Sequence, residues 1–251
     1  MEHWIEQPSK PTNLVLAWQA PDQVEDRTRW AVGQLSANGE ASTFRYFSDE
    51  QLRALNLGRG IVELRSCGYA GYPAFDLRQN SSGVFATGVM DAFLRRLPPR
   101  SRSDFKDYLS HFRYREPGDL SPMSLLAITE ARLPGDGFSL IDQLDPDAVA
   151  CDLVFEVAGH RHYASARPHL DEGMALDLVP EPSNRFDPMA VRIEAAGVLI
   201  GYANRLQSKS ITAWLSHRAT ACWLARLNGR ADSPKAWAFV RMRSSTKALA
   251  A

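Results

Sequence analysis

The segments of this chain that favour strands and helices fall into two blocks, and their order constrains the fold more than any other feature. Before residue 140, short strand-like runs come first and helical segments follow, which is typical of an α+β domain. After residue 150, nearly every segment has strand composition. Between the blocks lies a polar stretch that contains Asp142, Asp145 and Asp147. The order therefore predicts two domains, one on each side of this stretch.

The bounds of the domains follow from the flanking segments. Residues 1–12 are polar and carry Pro8 and Pro11, so we expect a disordered lead-in there. We place the N-terminal domain at residues 13–145 and the C-terminal domain at residues 150–245. With 251 residues the chain is long enough for two domains, each with its own hydrophobic core.

The first block predicts a hairpin followed by helices. The turn Ala37-Asn38-Gly39 separates two runs that are rich in β-branched and aromatic residues. Further on, Pro98-Pro99 ends a helical pattern, and Ser121 followed by Pro122 is a typical helix start. The predicted strands are 13–18, 30–35 and 42–47, and the predicted helices are 84–97, one from Ser101 and one from Ser121.

The second block predicts a small, mainly β domain with one helix. Its strand-like runs are short, and turn residues such as Gly197 and Gly229 separate some of them. Six short strands with one helix are too few for two packed sheets, so they favour a small closed or partly open barrel. The predicted strands are 152–158, 174–179, 190–195, 198–203, 219–227 and 235–243, and the predicted helix is 205–217.

The charged residues are unevenly distributed, although the chain has 29 Lys and Arg residues against 29 Asp and Glu residues. Residues 201–251 hold nine basic residues against Asp232 alone, while residues 119–187 are strongly acidic. Because local patches steer an anionic ligand more than net charge does, this composition is compatible with a nucleic-acid partner. The alternative is that these charges solvate exposed faces or pair with each other across the fold.

Several classes of protein are excluded by features that the sequence lacks. No apolar run approaches the roughly 20 residues that cross a bilayer, and the N-terminus has no signal-peptide pattern. We therefore expect a cytoplasmic protein without membrane contact. Cys67, Cys151 and Cys222 are too scattered for a disulfide framework or a zinc motif.

Motifs of common enzymes are also absent. Two glycines have the spacing of a phosphate loop, but Val89 stands where the lysine must be. His160, His162 and His169 have no cysteine or carboxylate at a spacing that completes a familiar metal site. We therefore expect a non-enzymatic protein with no catalytic residues, no bound metal and no cofactor.

The most informative segment is the proline-rich turn between two predicted strands. Its prolines restrain the backbone, so the polar side chains between them are held in place. Asn184, Arg185, Phe186 and Asp187 cluster in this turn. Such a cluster can be an Asx-type turn, in which Asn184 and Asp187 bond their own backbone, or it can be part of a ligand site.

This turn and its surroundings resemble the HIRAN domain. The matching segments are Glu181-Pro182-Ser183-Asn184-Arg185-Phe186-Asp187-Pro188-Met189-Ala190-Val191, then Gly197 with Ile200-Gly201-Tyr202, and upstream Val157-Ala158-Gly159-His160-Arg161-His162-Tyr163. The resemblance covers about residues 151–243. It implies a small OB-like β-barrel that binds single-stranded DNA at its 3′ end.

The resemblance also implies roles for individual residues. Arg161 would hold a phosphate, Tyr163 would stack on a base, and Asp187 would accept a hydrogen bond from the 3′ hydroxyl. His162 stands where the DNA-binding relative has an aromatic residue with a hydroxyl group, and an imidazole is the poorer stacking platform. The candidate nucleic-acid-binding residues, among which Asn184 and Phe186 would complete the pocket, are Arg161, His162, Tyr163, Asn184, Phe186, Asp187 and Tyr202.

The first block is similar to the N-terminal subdomain of HipA-type toxin kinases. The similarity spans about residues 13–140 and rests on Val32-Gly33-Gln34-Leu35, Thr43-Phe44-Arg45-Tyr46 and Phe93-Leu94-Arg95-Arg96-Leu97-Pro98. In those kinases the subdomain packs on the catalytic core and contributes to antitoxin contacts. It implies a protein partner for this block, and since no kinase core follows we expect no phosphoryl transfer.

Two hypotheses of function follow. The first is a nucleic-acid-binding protein that recognises single-stranded DNA or DNA 3′ ends through the C-terminal domain. The second is a protein–protein interaction adaptor related to HipA-type toxin–antitoxin systems, with the barrel as a scaffold. An exposed aromatic side chain beside Arg161 would favour the first, and an apolar patch on residues 84–112 would favour the second. A hydrolase or nuclease without a known motif is a third alternative.

Overall fold

The computed structural model describes residues 2–21, 23–24, 28–78, 80–115, 120–133, 135–163, 169–230 and 232–244. The chain divides into two compact units. We call Lys10–Tyr108 with Glu116–Asp142 the N-terminal unit. We call Met1–Ser9, Leu109–Arg115 and Gln143–Ala251 the C-terminal unit.

The N-terminal unit is built on an antiparallel five-stranded sheet with the order β4-β3-β2-β1-β5. Helices complete it, so the α+β class predicted for this block is confirmed. The strands are β1 (Asn13–Gln19), β2 (Arg29–Asn38), β3 (Ala41–Tyr46), β4 (Val84–Phe85) and β5 (Phe138–Ile141). The helices are α1 (Asp49–Leu55), α2 (Ile61–Ser66), α3 (Val89–Leu94), α4 (Phe105–Ser110) and α5 (Pro122–Thr129), of which α4 crosses the boundary between the units.

Aromatic side chains fill the core of the N-terminal unit. Phe44 is fully buried, and its ring stacks on Phe75 with the centroids 4.8 Å apart. Tyr72 stacks on Phe93 at 5.2 Å. The buried Arg96 makes a two-pronged ion pair with Asp136, at 2.7 and 3.1 Å. This arginine, which belongs to a basic cluster in the sequence, therefore has a structural partner.

The prediction of a helix over 84–97 is wrong at its start. Val84 pairs with Arg45 of β3, because the pairing with a neighbouring strand overrides the helical pattern. The helix begins only at Val89, after Gly88 in the left-handed conformation. The predicted start at Ser121 is confirmed, since its hydroxyl accepts a hydrogen bond from the Ser124 N–H at 3.1 Å. The segments α1, α2 and β5 were not predicted.

The C-terminal unit is built on an antiparallel six-stranded sheet with the order β6-β11-β10-β7-β8-β9. The strands are β6 (Ala150–Glu156), β7 (Ala175–Pro180), β8 (Val191–Ala195), β9 (Val198–Tyr202), β10 (Arg218–Arg230) and β11 (Ser233–Ser244). The helices are α6 (His160–Tyr163) and α7 (Arg205–His217). All six predicted strands and the predicted helix over 205–217 are present, and the single turn α6 is an addition.

The hydrogen-bonded strand pairs of the C-terminal unit form an open sheet, so a closed barrel is not confirmed. In the described part of the unit, β6 and β9 are the two edges. One isolated bridge lies between these edges, where Ala158 and Tyr202 exchange backbone hydrogen bonds of 2.8 and 2.9 Å. Trp214 of α7 is fully buried against the sheet, and its indole N–H donates to the Asp145 carbonyl at 3.0 Å.

The structure differs from the predicted disordered lead-in, because residues 2–7 pack within the C-terminal unit. Ile5 is buried, and its N–H donates to the Arg113 carbonyl at 2.8 Å. The Asp152 carboxylate accepts the N–H groups of Glu6 and Gln7 at 2.9 and 3.1 Å. Both the N-terminal segment and residues 109–115 therefore join the C-terminal unit, which starts again at Gln143.

No helix in the described ranges combines the length and the apolar character that a membrane span requires.

Candidate nucleic-acid interface

The first part of the candidate site is the helical turn α6, which is anchored to β9. His160 is buried, and its Nδ1 lies 2.8 Å from the Ile200 carbonyl oxygen. Gly201 makes this close approach possible, because a Cβ atom there would lie 2.6 Å from the Ala158 carbonyl oxygen. The anchoring explains the turn, since four residues are too few for a helix that is stable by itself.

The side chains that follow His160 are more exposed. Arg161 and His162 are exposed, and the Arg161 Nε–H donates to His162 Nε2 at 3.2 Å. The Tyr163 ring is half-buried and lies 6.2 Å from the Tyr202 ring, centroid to centroid. The turn thus brings Tyr163 and Tyr202 together. Within the described residues, Arg161 and His162 form no hydrogen bond or ion pair with residues 181–190, the loop between β7 and β8.

The second part is the loop between β7 and β8, which has the hydrogen bonds of an Asx-type turn. Asn184 Oδ1 accepts the N–H groups of Phe186 and Asp187 at 2.9 and 3.1 Å. Asp187 Oδ1 accepts the Met189 N–H at 2.9 Å. Its other oxygen, Oδ2, accepts no hydrogen bond from the described residues. Asn184 is therefore committed to the loop, while half of the Asp187 carboxylate is available to a ligand.

Glu181 connects the two parts, and sequence reasoning missed it as a site residue. Its Oε2 accepts a hydrogen bond from Asn184 Nδ2 at 2.6 Å and a long one from the Tyr202 hydroxyl at 3.4 Å. Its Oε1 lies 3.7 Å from the Arg192 guanidinium. The only signal in the sequence was its position at the start of the acidic-Pro-x-Asn block.

The hydroxyl of Tyr202 stays protonated at neutral pH. Burial, and then the neighbouring Tyr163 and Glu181, raise the pKa of Tyr202 to about 12. A protonated hydroxyl can donate to the Glu181 carboxylate, which keeps β9 connected to the loop.

Phe186 is an exposed aromatic side chain of the site, at 69% of its full accessible surface. The Arg185 guanidinium carbon lies 4.5 Å from the centroid of the Phe186 ring, which is cation–π geometry. Arg185 is a second residue that the candidate set missed. An exposed pair of a cation and an aromatic ring therefore lies in the 181–190 loop. In α6, the aromatic neighbour of Arg161 is His162.

Many basic residues of the C-terminal segment are paired with carboxylates. Arg241 and Arg243 both contact Asp152, at 3.2 and 2.7 Å. Lys235 lies 3.3 Å from Glu156. Pairing between opposite charges, the alternative to an anion site, therefore accounts for part of this basic charge.

In the described part of the chain, the three candidate histidines do not form a metal site. His160 is committed to the Ile200 carbonyl, and His169 Nε2 lies 3.0 Å from Asp171. The described residues contain no group of three or more potential ligands that could hold a metal ion.

The fold and the site define a β-sheet domain that presents a turn and a polar loop at neighbouring strand ends. Residues 151–242 match the family model of the HIRAN domain, which confirms the resemblance to that family predicted from the sequence for about residues 151–243. The HIRAN domain of human HLTF is 13% identical over 38% of this chain and 78% of that chain, with a TM-score of 0.32. No curated protein matches the sequence. The similarity of residues 13–140 to HipA-type kinases is not shown by these comparisons and stays a prediction.

Proposed function

We propose that the C-terminal unit binds single-stranded DNA and recognises its 3′ end through α6 and the 181–190 loop. The HIRAN match supports a nucleic-acid-binding role. The finer proposal rests mainly on one observation, that Tyr202 contacts both the Tyr163 ring and the Glu181 carboxylate that holds Asn184. The turn and the loop thus form one connected surface.

The chemistry of this surface suits a terminal nucleotide. Tyr163, His162 and Phe186 offer aromatic faces, on which bases stack regardless of sequence. Arg161 is an exposed cation for a backbone phosphate. Asp187 Oδ2 is an acceptor for a hydroxyl donor, and its negative charge disfavours a terminal phosphate. The proposal assigns binding alone to this surface, without catalysis, metal or cofactor.

The protein-adaptor alternative has less support. An apolar patch on residues 84–112 was its discriminating feature. Among the described residues of that segment, Val84 is the one large hydrophobic side chain that is clearly exposed. A docking surface of that kind would need a contiguous patch.

Fluorescence anisotropy with labelled oligonucleotides tests the proposal. We expect tight binding to single strands with a 3′ hydroxyl, and weaker binding to 3′-phosphate ends and to blunt duplexes. Tyr163→Ala should weaken all single-stranded ligands by about five- to a hundredfold, because stacking contributes about 1–3 kcal/mol per base and does not sense the terminal group. Glu40→Ala, in the hairpin turn of the other unit, is the control that should change nothing. Absence of binding at low salt would remove the nucleic-acid proposal.

A further inference from the structure

A second aromatic and basic surface lies on one face of β10 and β11, apart from the residues of the proposed 3′-end site. Trp223 and Phe239 are direct partners in the strand register, and so are Arg226 and Trp237. The Arg226 guanidinium lies 4.7 Å from the centroid of the Trp237 ring. Side chains two apart along β11 share a face. We call Trp223, Arg226, Trp237, Phe239, Arg241 and Arg243 the β10–β11 face.

Residues 2–7, which we call the N-terminal strap, cover part of this face, while the Arg226 guanidinium donates to the His111 carbonyl at 2.7 Å. The His3 ring stacks on Trp223 with the centroids 3.9 Å apart and the planes at 23°. It also lies 5.6 Å from the Phe239 ring. The Glu6 carboxylate lies 3.2 Å from Arg241 and 3.8 Å from Arg243. The strap thus places one flat ring on the aromatic pair and one carboxylate on the arginines.

The same pattern continues at the start of the strap. The Glu2 carboxylate lies 3.4 Å from Arg113 and 3.8 Å from Arg115. Burial, and then the nearby Arg241, lower the pKa of His3, so the stacked ring is neutral. The neutral His3 ring, with the Glu2 and Glu6 carboxylates on either side along the strap, resembles a nucleic-acid base between two backbone phosphates.

We propose that the β10–β11 face is a second binding surface for single-stranded nucleic acid, and that the N-terminal strap occupies it in cis. The face has the composition of a stacking platform with arginines beside it. The strap satisfies the face with side chains that imitate the ligand, and it must leave before a strand can bind. This surface goes beyond the proposed function, because it does not need a 3′ end.

The two carboxylate side chains of the strap are held loosely, whereas the burial of Ile5 and the backbone hydrogen bonds to Arg113 and Asp152 oppose its release. The Glu2 and Glu6 side chains are 65% and 64% exposed, and exposed ion pairs contribute little to stability. A partly open cavity of about 210 Å³, lined by His3, Arg113 and Phe239 among others, remains beside the strap.

The face is not purely basic. Asp152 contacts Arg241 and Arg243, and Glu172 lies 3.6 Å from Arg113. These carboxylates remain when the strap leaves, so they reduce the attraction of a phosphate backbone. Stacking on Trp223 and Phe239 therefore supplies most of the affinity, and the salt dependence is weaker than for a surface of unpaired arginines.

The test uses the full chain with the double substitution His3→Ala and Glu6→Lys, which removes the stacked ring and places a cation against Arg241. The probe is a small circular single-stranded DNA, since it has no 3′ end for the other site. If the strap covers the face for nine-tenths of the time or more, its release strengthens apparent binding by about tenfold or more. Glu40→Lys makes the same change of charge at Glu40 in the hairpin turn of the other unit and should give no such gain.

We call the chain with His3→Ala and Glu6→Lys the released variant. Trp223→Ala, added to it, should weaken binding of the circular DNA by about five- to a hundredfold. Tyr163→Ala added to the released variant should leave the gain intact, so this outcome is separate from the fate of the 3′-end proposal.

A chain that lacks residues 2–7 is the second variant, and a synthetic peptide of residues 2–9 should compete with the circular DNA for binding to it. No gain in either variant, when both keep the circular dichroism spectrum of the parent, would overturn the proposal. A gain that survives Trp223→Ala would also overturn it.

Discussion

The two oxygens of the Asp187 carboxylate have different partners, and this difference allows its roles in the loop and at a DNA end to be separated. Oδ1 accepts the Met189 N–H at 2.9 Å, while Oδ2 has no hydrogen-bond donor among the described residues. Asp187→Asn keeps an oxygen at the Oδ1 position and removes the charge. Asp187→Ala removes both the loop bond and the charge.

The expected magnitudes follow from these bonds. A hydrogen bond to a charged group contributes about 1.5–3 kcal/mol, so either variant should bind 3′-hydroxyl ends about ten- to a hundredfold more weakly. Asp187→Asn should fall at the lower limit, because the amide still forms a neutral hydrogen bond. Binding to 3′-phosphate ends should be unchanged or improved, because the repulsion between two anions is removed.

The stability of the two variants should differ. Asp187→Ala loses the Met189 bond, which contributes about 1 kcal/mol and corresponds to a fall of about 2–4 °C in Tm for a chain of this size. Asp187→Asn should keep the Tm of the parent. Anisotropy titrations with 3′-hydroxyl and 3′-phosphate strands measure the two affinities of each variant, and thermal melts measure its Tm. If Asp187→Asn weakens both kinds of end equally at unchanged Tm, the carboxylate does not read the terminal group and our reasoning fails.

Three further predictions concern the same unit. Gly201→Ala should destabilise the protein by about 2–4 kcal/mol in denaturant melts, because the added Cβ would lie 2.5 Å from Val157 Cγ1. Gly197→Ala is its control and should lose about 1 kcal/mol, since it has a positive φ but no neighbouring atom within 4 Å; equal losses would show that the close approach is not limiting. Binding of linear single strands should weaken with salt at a log–log slope near −0.7 per phosphate neutralised, or about −2 for three contacts, and a flat response would argue against backbone contacts. Burial alone would raise the pKa of Asp152, but hydrogen bonds from Arg243 and from the Glu6 and Gln7 N–H groups outweigh it and lower the pKa. The stability that these bonds contribute should therefore be present at neutral pH and be lost as the pH falls below about 4, whereas Asp152→Asn should be less stable at neutral pH and lack this part of the acid transition.

Local signals in the sequence predicted most of the regular elements. The helix Arg205–His217 starts after Asn204, whose side chain caps it, and the strands β8 and β9 flank the turn glycine Gly197. The HIRAN resemblance, too, rested on a contiguous block of residues around Asn184 and Asp187. Such signals are readable because each depends on residues within a few positions along the chain.

Tertiary structure decided the elements and contacts that link distant residues. The turn α6 is too short for a periodic pattern and depends on the contact between His160 and the Ile200 carbonyl, forty positions away. The segment Val84–Phe85 has a helical sequence pattern, but its pairing with β3 makes it a strand. Neither segment has a local preference strong enough to outweigh the burial and hydrogen bonds that the pairing adds.

Tertiary structure also decided which residues of the site contact each other and where the first residues of the chain lie. Glu181 was visible in the motif, and its bond to Asn184 is local, but its bond to Tyr202 depends on how β7, β8 and β9 are brought together. Four of residues 2–7 are polar and the segment carries no strand or helix signal, yet Asp152, from the middle of the sequence, accepts the backbone N–H groups of Glu6 and Gln7. A sequence shows which groups need a partner, whereas only the folded chain shows which partner is near enough to satisfy them.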